Sequence, residues 1–263
     1  MNPALLTAVA WPVTAVAVFA LTTVWLNRRS RGFCWKVFAL SLGPAFLGTA
    51  YSLYYLHFLP EPAWFYEWRS FTGSEALVLA PAVAGAACSK LLPGWCRAVI
   101  LAGIVFPAFL PFAKPVWMPL DLDSLKNQWV GGVARQSTRS TCGPASAATL
   151  LGELGIVAQE SELALAARSS GSGTEAWYLA RAMRRRGVKV DFLTEVKLPS
   201  EAPWPCIAGV KLLGGTGHFI PILRNEGNRY WVGDPLGAGQ WLEESELRRR
   251  YEFTGFCMVV RLP

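Results

Sequence analysis

The pattern of apolar and polar positions changes once along this chain, near Lys114. Before it, long apolar runs are separated by short basic or mixed segments: Ala4 to Leu26, Val37 to Leu59, Ala76 to Ser89 and Ala98 to Ala113. A bilayer core of roughly 30 Å takes about 20 helical residues to cross, so the first two runs predict spans. The third reaches that length only if Phe71 to Glu75 lies at the interface, and the fourth is also short. Pro44, Pro81, Pro107 and Pro111 fall inside these runs; neighbouring helices can satisfy the backbone groups a proline frees there. Ala4 to Leu26 has no basic start and exceeds the apolar core of a signal peptide, so it reads as a retained anchor. The expectation is a helical bundle of about four transmembrane spans over residues 1–113.

After Lys114 the periods shorten to those of a water-soluble fold. Residues 114–128, with Pro115 and Pro119, read as a linker, and residues 129–263 as one domain. Cys142 to Leu154 carries apolar residues at helical spacing and stops at Gly155. Glu160 to Arg168 is a second helix. Thr174 to Arg186 is a third, with Thr174 as N-cap and Gly187 as C-terminal glycine. Val188 to Leu193, Cys206 to Leu212, Phe219 to Arg224, Arg229 to Val232 and Phe256 to Leu262 predict strands. Asn225 to Asn228 is the turn of a hairpin. Helices first and strands second is an α+β order.

Charge separates the two parts further. The whole chain is 16% charged, against about 25% for an ordinary soluble domain. Residues 1–113 hold only seven Lys/Arg and three Asp/Glu. Arg28, Arg29, Arg31 and Lys36 lie between the first two runs, and Lys90 and Arg97 between the last two. The connection between runs two and three holds Glu61, Glu67 and Arg69. Short Lys/Arg-rich loops stay cytoplasmic, so both termini face outward and the soluble domain is extracytoplasmic. Were the third run only re-entrant, the domain would lie inside. Trp25, Trp35, Trp64, Trp68, Trp95 and Trp117 fall near span ends, where interfacial aromatics belong. The net charge of +7 does not point to nucleic acid. Many cations flank membrane segments, and Arg184 to Arg186 and Arg248 to Arg250 sit near helix ends, where the helix dipole favours them.

The candidate chemistry lies in the soluble part. Cys142 opens the first helix in Gln136-Ser-Thr-Arg-Ser-Thr-Cys142-Gly143-Pro144-Ala145. His218 follows in Gly217-His218-Phe219 and Asp234 in Gly233-Asp234-Pro235. A thiol attacks a carbonyl only as thiolate. A helix N-terminus favours the anion, and an adjacent imidazole can take the proton. His218 is the only histidine in the soluble part. The other, His57, reads as interfacial. Asp234 would orient the imidazole, because an antiparallel pair brings the start of one strand to the end of its partner. The backbone N–H of Cys142 and the side-chain amide of Gln136 are candidate oxyanion donors. Gly214, Gly215 and Gly217 would let a peptide backbone approach closely. Cys34, Cys88, Cys96, Cys206 and Cys257 read as small buried residues. Outside the cytoplasm a Cys206–Cys257 disulfide is an equal alternative. The cysteines show no metal-ligand spacing, and the motifs call for no cofactor. Gly131-Gly132 reads as flexible linker.

With these residues in view, the chain resembles the double-glycine leader peptidases that process bacteriocin precursors, a branch of the papain-like cysteine peptidases. The resemblance covers roughly Trp129 to Pro263. It rests on Gln136 six positions before Cys142, on Cys142-Gly143-Pro144-Ala145, on Gly217-His218-Phe219, and on Asp234-Pro235. It implies Cys142 as nucleophile, His218 as general base and acid, Asp234 as orienting residue and Gln136 in the oxyanion hole. Relatives of this kind are commonly fused to the front of an ATP-driven exporter and act in the cytoplasm. Here the domain follows the membrane runs, and the sequence carries no Gly-rich phosphate loop. The expectation is therefore a membrane-anchored cysteine endopeptidase of a bacterial inner or plasma membrane. Its partners would be a peptide or protein substrate, the lipid bilayer and a secretion or export machinery, with Gly-Gly as one cleavage motif. Two alternatives stand: a cytoplasmic-facing leader peptidase serving a separate exporter, and a non-catalytic peptide-binding module.

Overall fold

A computed structural model describes residues 3–55, 61–109, 112–197, 199–201, 203–212 and 214–263. The chain forms two compact units. One comprises residues 1–61 and 73–117, the other residues 62–72 and 118–263.

The first unit is helical: α1 (Pro3–Asn27), α2 (Arg31–Tyr55), a 3-10 turn (Ser74–Leu79) running into α4 (Ala80–Leu91), α5 (Cys96–Phe109) and the short α6 (Lys114–Trp117). Three of its segments are long and apolar enough to cross a membrane: Ala8–Asn27, Arg31–Ala50 and Ser74–Leu91. α5 is shorter. The second helix begins earlier than the apolar run suggests, so Arg31 and Lys36 lie in its first turns rather than in a loop. The expected end of that span and His57 lie outside the described residues.

Packing in this unit joins small residues. Ala8, Ala15, Ala82, Ala86 and Ala87 are buried, whereas Leu21, Leu40, Phe46 and Val99 point outward. Gly48 approaches so closely that a Cβ there would sit 2.2 Å from the Leu77 carbonyl oxygen. Bulky apolar side chains facing away from the bundle would be costly in water and neutral in lipid. At one end of the bundle Lys90 hydrogen-bonds Asn27 Oδ1, and the Arg31 guanidinium donates to the Leu91 carbonyl. Leu26, Cys34 and Ala87 are buried together beside these contacts. The two basic connections therefore lie at the same end.

The second unit begins with α3 (Ala63–Ser70), taken from the connection between α2 and α4. It continues with a two-stranded hairpin, β1 (Trp129–Val130) and β2 (Val133–Ala134). Gly131 and Gly132, read from the sequence as flexible, form its turn, both with positive φ, as a two-residue type I′ turn requires. Then come α7 (Cys142–Glu153), α8 (Glu160–Ala166) and α9 (Ala176–Arg184). The sheet follows: β3 (Lys189–Leu193), β4 (Cys206–Lys211), β5 (Gly217–Glu226), β6 (Arg229–Gly233), β7 (Gly239–Glu243), α10 (Glu244–Arg250) and β8 (Glu252–Arg261). Its order is β3-β8-β4-β5-β6-β7, antiparallel throughout. Helices first and an antiparallel sheet second is the order the change of period predicts.

Several local expectations change. α9 starts at Ala176 with Glu175 as its N-cap; Thr174 instead shares a 2.6 Å hydrogen bond with Ser169. Gly187, past the end of α9, does take a positive φ. β7 and α10 carry no clear sequence signal, since one alternating strand of five residues runs straight into a charged helix. β4 is buried on both faces, which its unbroken apolar run reflects. One face packs with Leu242, Leu247 and Tyr251 from the C-terminal part. Cys206 and Cys257 are free, buried and hydrogen-bonded to each other.

Candidate active site

α7 begins at Cys142, and its residues Gly143 through Leu151 are all buried. An Ala/Leu-rich helix this enclosed has no room for larger side chains near its start. A Cβ on Gly143 would meet Leu179 at 3.2 Å, and Phe219 and Thr174 at 3.4 Å. The close approach brings the helix start against β5. Ser146 fixes the contact, its hydroxyl donating to the Phe219 carbonyl at 2.8 Å. The residue before Phe219 is His218, on β5 opposite Val210 of β4.

His218 is 6% exposed. Its Nε2 lies 2.9 Å from Asp234 Oδ1, and the Cys142 side chain is near enough to act on the ring's charge. With Nε2 committed to the carboxylate, Nδ1 is the nitrogen left for sulfur. Burial pushes the His218 pKa down, but hydrogen bonds to Asp234 and Cys142, and the charges of both, outweigh it and raise the value to about 9. Asp234 behaves in the opposite sense. Burial disfavours its charge, yet bonds from His218, from the Tyr251 hydroxyl and from the Leu236 N–H hold its carboxyl below the usual range. The Tyr251 hydroxyl donates to Oδ2 at 2.6 Å and the Leu236 N–H to Oδ1 at 2.9 Å.

Gln136 lies on the segment leading to Cys142. Its backbone N–H donates to the Pro235 carbonyl at 3.1 Å, tying this segment to the Asp234 loop. Its side-chain amide donates to the Thr138 carbonyl at 2.7 Å, so one of the two amide hydrogens is occupied within the segment itself. The turn is held from below by the buried Glu160, which accepts from the Ser137 N–H at 2.7 Å and its hydroxyl at 2.5 Å.

The structure thus joins His218 to Asp234 by a hydrogen bond, brings the Cys142 side chain near the same ring, and connects Gln136 through backbone to the Asp234 loop. A thiol and an imidazole in such contact can exchange a proton to give a thiolate and an imidazolium. A carboxylate on the far nitrogen favours the charged ring. Tyr251, Ser146 and Glu160 escaped the sequence reading. Ser146 sits one helical turn after Cys142, a spacing that places both on one face. Tyr251 carries no such signal, since it reaches Asp234 only through the fold of β7 and α10.

Residues 132–261 match the model of the Peptidase C39 family. An uncharacterized protein of Methanothermobacter thermautotrophicus is 32% identical over 136 residues, which is 50% of this chain and 89% of that protein. An uncharacterized protein of Methanothermobacter marburgensis is 32% identical over 108 residues, 39% of this chain and 70% of the relative. Among solved structures, a double glycine motif protease from an AMS/PCAT transporter, in complex with the leader peptide, is similar at 23% identity and a TM-score of 0.43, over 50% of this chain and 91% of that one. The peptidase domain of Streptococcus ComA, a bi-functional ABC transporter involved in a quorum sensing pathway, is 16% identical with a TM-score of 0.44, over 51% and 100%. Through its C-terminal half, this chain belongs to the peptidase C39 family.

Proposed function

We propose that the chain is a membrane-anchored cysteine endopeptidase cleaving a peptide or protein substrate. Cys142 is the nucleophile. His218 takes its proton and returns it to the leaving amine, and Asp234 holds the imidazole in the required tautomer. The backbone N–H of Cys142 and the free amide hydrogen of Gln136 stabilise the oxyanion. Attack forms a thioester and releases the amine product; water then hydrolyses the thioester and regenerates the thiol. Residues 1–61 and 73–117 serve as anchor, and residues 62–72 with 118–263 as the catalytic unit, on the extracytoplasmic face. Gly-Gly is the first cleavage motif to test.

The observation that carries this reading is the buried His218 ring, hydrogen-bonded to Asp234 and acted on by the Cys142 side chain at a helix N-terminus. The anchoring rests on three segments long and apolar enough to cross a membrane, two of which, in α1 and α2, turn large apolar side chains outward. The test is turnover of an outward-presented peptide by the full-length protein. Cys142→Ala should abolish cleavage with the fold unchanged by circular dichroism; cleavage at the wild-type rate would refute the proposal.

A further inference from the structure

The connection between α2 and α4 belongs to the catalytic unit. Both carboxylate oxygens of Glu67 accept from the Nη2 of Arg184 on α9, each at 2.8 Å. The buried Arg181 caps the C-terminal end of α3, donating to the carbonyls of Arg69 at 2.9 Å, Ser70 at 3.2 Å and Phe71 at 2.7 Å. A guanidinium presents a rigid fork of donors, suited to several carbonyls at once. Aromatic contacts continue inward. Tyr66 packs on Phe192 at 5.4 Å and Phe256 at 4.7 Å, and Phe256 on Phe219, the neighbour of His218, at 6.0 Å.

We propose that α3 is a structural part of the catalytic domain delivered by the membrane hairpin, and that it fixes cleavage to the membrane face opposite the basic turns. The proposal rests on the membrane-anchored peptidase reading and deepens it. The chain leaves the catalytic unit at Thr72 and re-enters it at Met118. Both points must lie on one side of the membrane, so residues 73–117 cross an even number of times. α5 has 14 residues, about 21 Å at 1.5 Å per residue, short for a full span. Length alone therefore leaves the parity open; the placement of α3 closes it. Zero crossings conflict with the hydrogen bonds from Lys90 and Arg31, which hold the α4–α5 connection at the end of the bundle where α1 meets α2. Two crossings remain. Arg28, Arg29, Arg31, Lys36, Lys90 and Arg97 then gather at one face, the cytoplasmic one. The catalytic domain lies at the other. Its substrate class is accordingly a chain already translocated, or an outward segment of another membrane protein.

The test uses the full chain with native cysteines replaced by alanine and one exposed cysteine introduced at a time: Thr72→Cys, Glu226→Cys or Arg29→Cys. A membrane-impermeant maleimide is applied to right-side-out and to inverted vesicles. Thr72→Cys and Glu226→Cys should label at least ~10-fold faster in right-side-out vesicles, and Arg29→Cys at least ~10-fold faster in inverted ones, in keeping with the confinement of basic loops. Opposite labelling of Thr72→Cys and Glu226→Cys would overturn the shared body. Joint labelling of both in inverted vesicles would overturn the assigned face. A reporter enzyme active only outside the cytoplasm, fused after Pro263 of the unsubstituted chain, gives the same answer without any substitution. Neither readout requires peptidase activity, so failure here is distinct from failure of the catalytic reading.

Discussion

Replacing Asp234 by asparagine keeps the shape of the side chain and removes its charge. In the wild type His218 titrates near 9 instead of 6.5. A rise of that size is about 3 kcal/mol in favour of the imidazolium, at 1.36 kcal/mol per unit. Burial opposes the rise, so Asp234 and Cys142 together supply more than the net amount. Asp234 leads the favourable causes, and its loss leaves burial unopposed except by Cys142. The His218 pKa should therefore fall by at least about 1.5 units. The chain has only two histidines, so NMR titration of ring-labelled protein in detergent resolves His218 from His57 directly. Cleavage should fall on the order of 100-fold or more, because the ring loses its charge partner and the amide, with one donor face, no longer enforces the tautomer. The alkaline limb of the rate profile should move to lower pH by the same amount as the NMR titration. A His218 pKa within a few tenths of the wild-type value in Asp234→Asn would refute this electrostatic account, whatever happened to the rate.

Tyr251→Phe deletes the donor to Asp234 Oδ2, a bond to a charged group worth about 1.5–3 kcal/mol. The depressed Asp234 pKa contributes stability present above the ordinary value of 3.8 and lost as pH falls through the folded value. Denaturant melts should accordingly show a large wild-type advantage at neutral pH that shrinks once pH drops below that range. His218 has the reverse sign. Its raised pKa contributes stability fully present below 6.5 and lost as pH rises through about 9; the share that Asp234 supplies is missing from Asp234→Asn, so the gap between the two melting curves should narrow at alkaline pH. Gln136→Ala should lower kcat by about 10²–10³-fold with KM little changed, as loss of one oxyanion donor does elsewhere; an effect on KM alone would remove Gln136 from that role.

Much of this molecule is legible in its sequence because the signals are local. The apolar runs announce α1 and α2, and Gly155 and Gly187 mark helix ends with positive φ; the turn read over Asn225–Asn228 tightens to Gly227 and Asn228, because Asn225 and Glu226 still pair with β6. β5 and β6 are legible as a hairpin, so the meeting of His218 with Asp234 follows from register. Three features depend on contacts distant in the chain and leave no local trace. Tyr251 reaches Asp234 only after β7 and α10 have folded back across the sheet. Arg184 reads as a cation near a helix end and Arg181 gives no signal of its own, yet they bind a carboxylate and carbonyls more than a hundred residues away. α3 reads as a mixed connection between spans because its partner, α9, lies far along the chain. Gly131-Gly132 shows the converse failure: a composition suggesting flexibility forms a tight, defined turn.

The pairing of Cys142 with His218 underlies all of this, and it can be measured without a substrate. Alkylation of Cys142 by iodoacetamide, followed by peptide mass spectrometry near neutral pH, reports how readily the sulfur gives up its proton. In wild-type protein the rate should exceed that in His218→Ala by ~10-fold or more, because the imidazole is the proton's acceptor. Equal rates in the two proteins would contradict the pairing and with it the catalytic assignment.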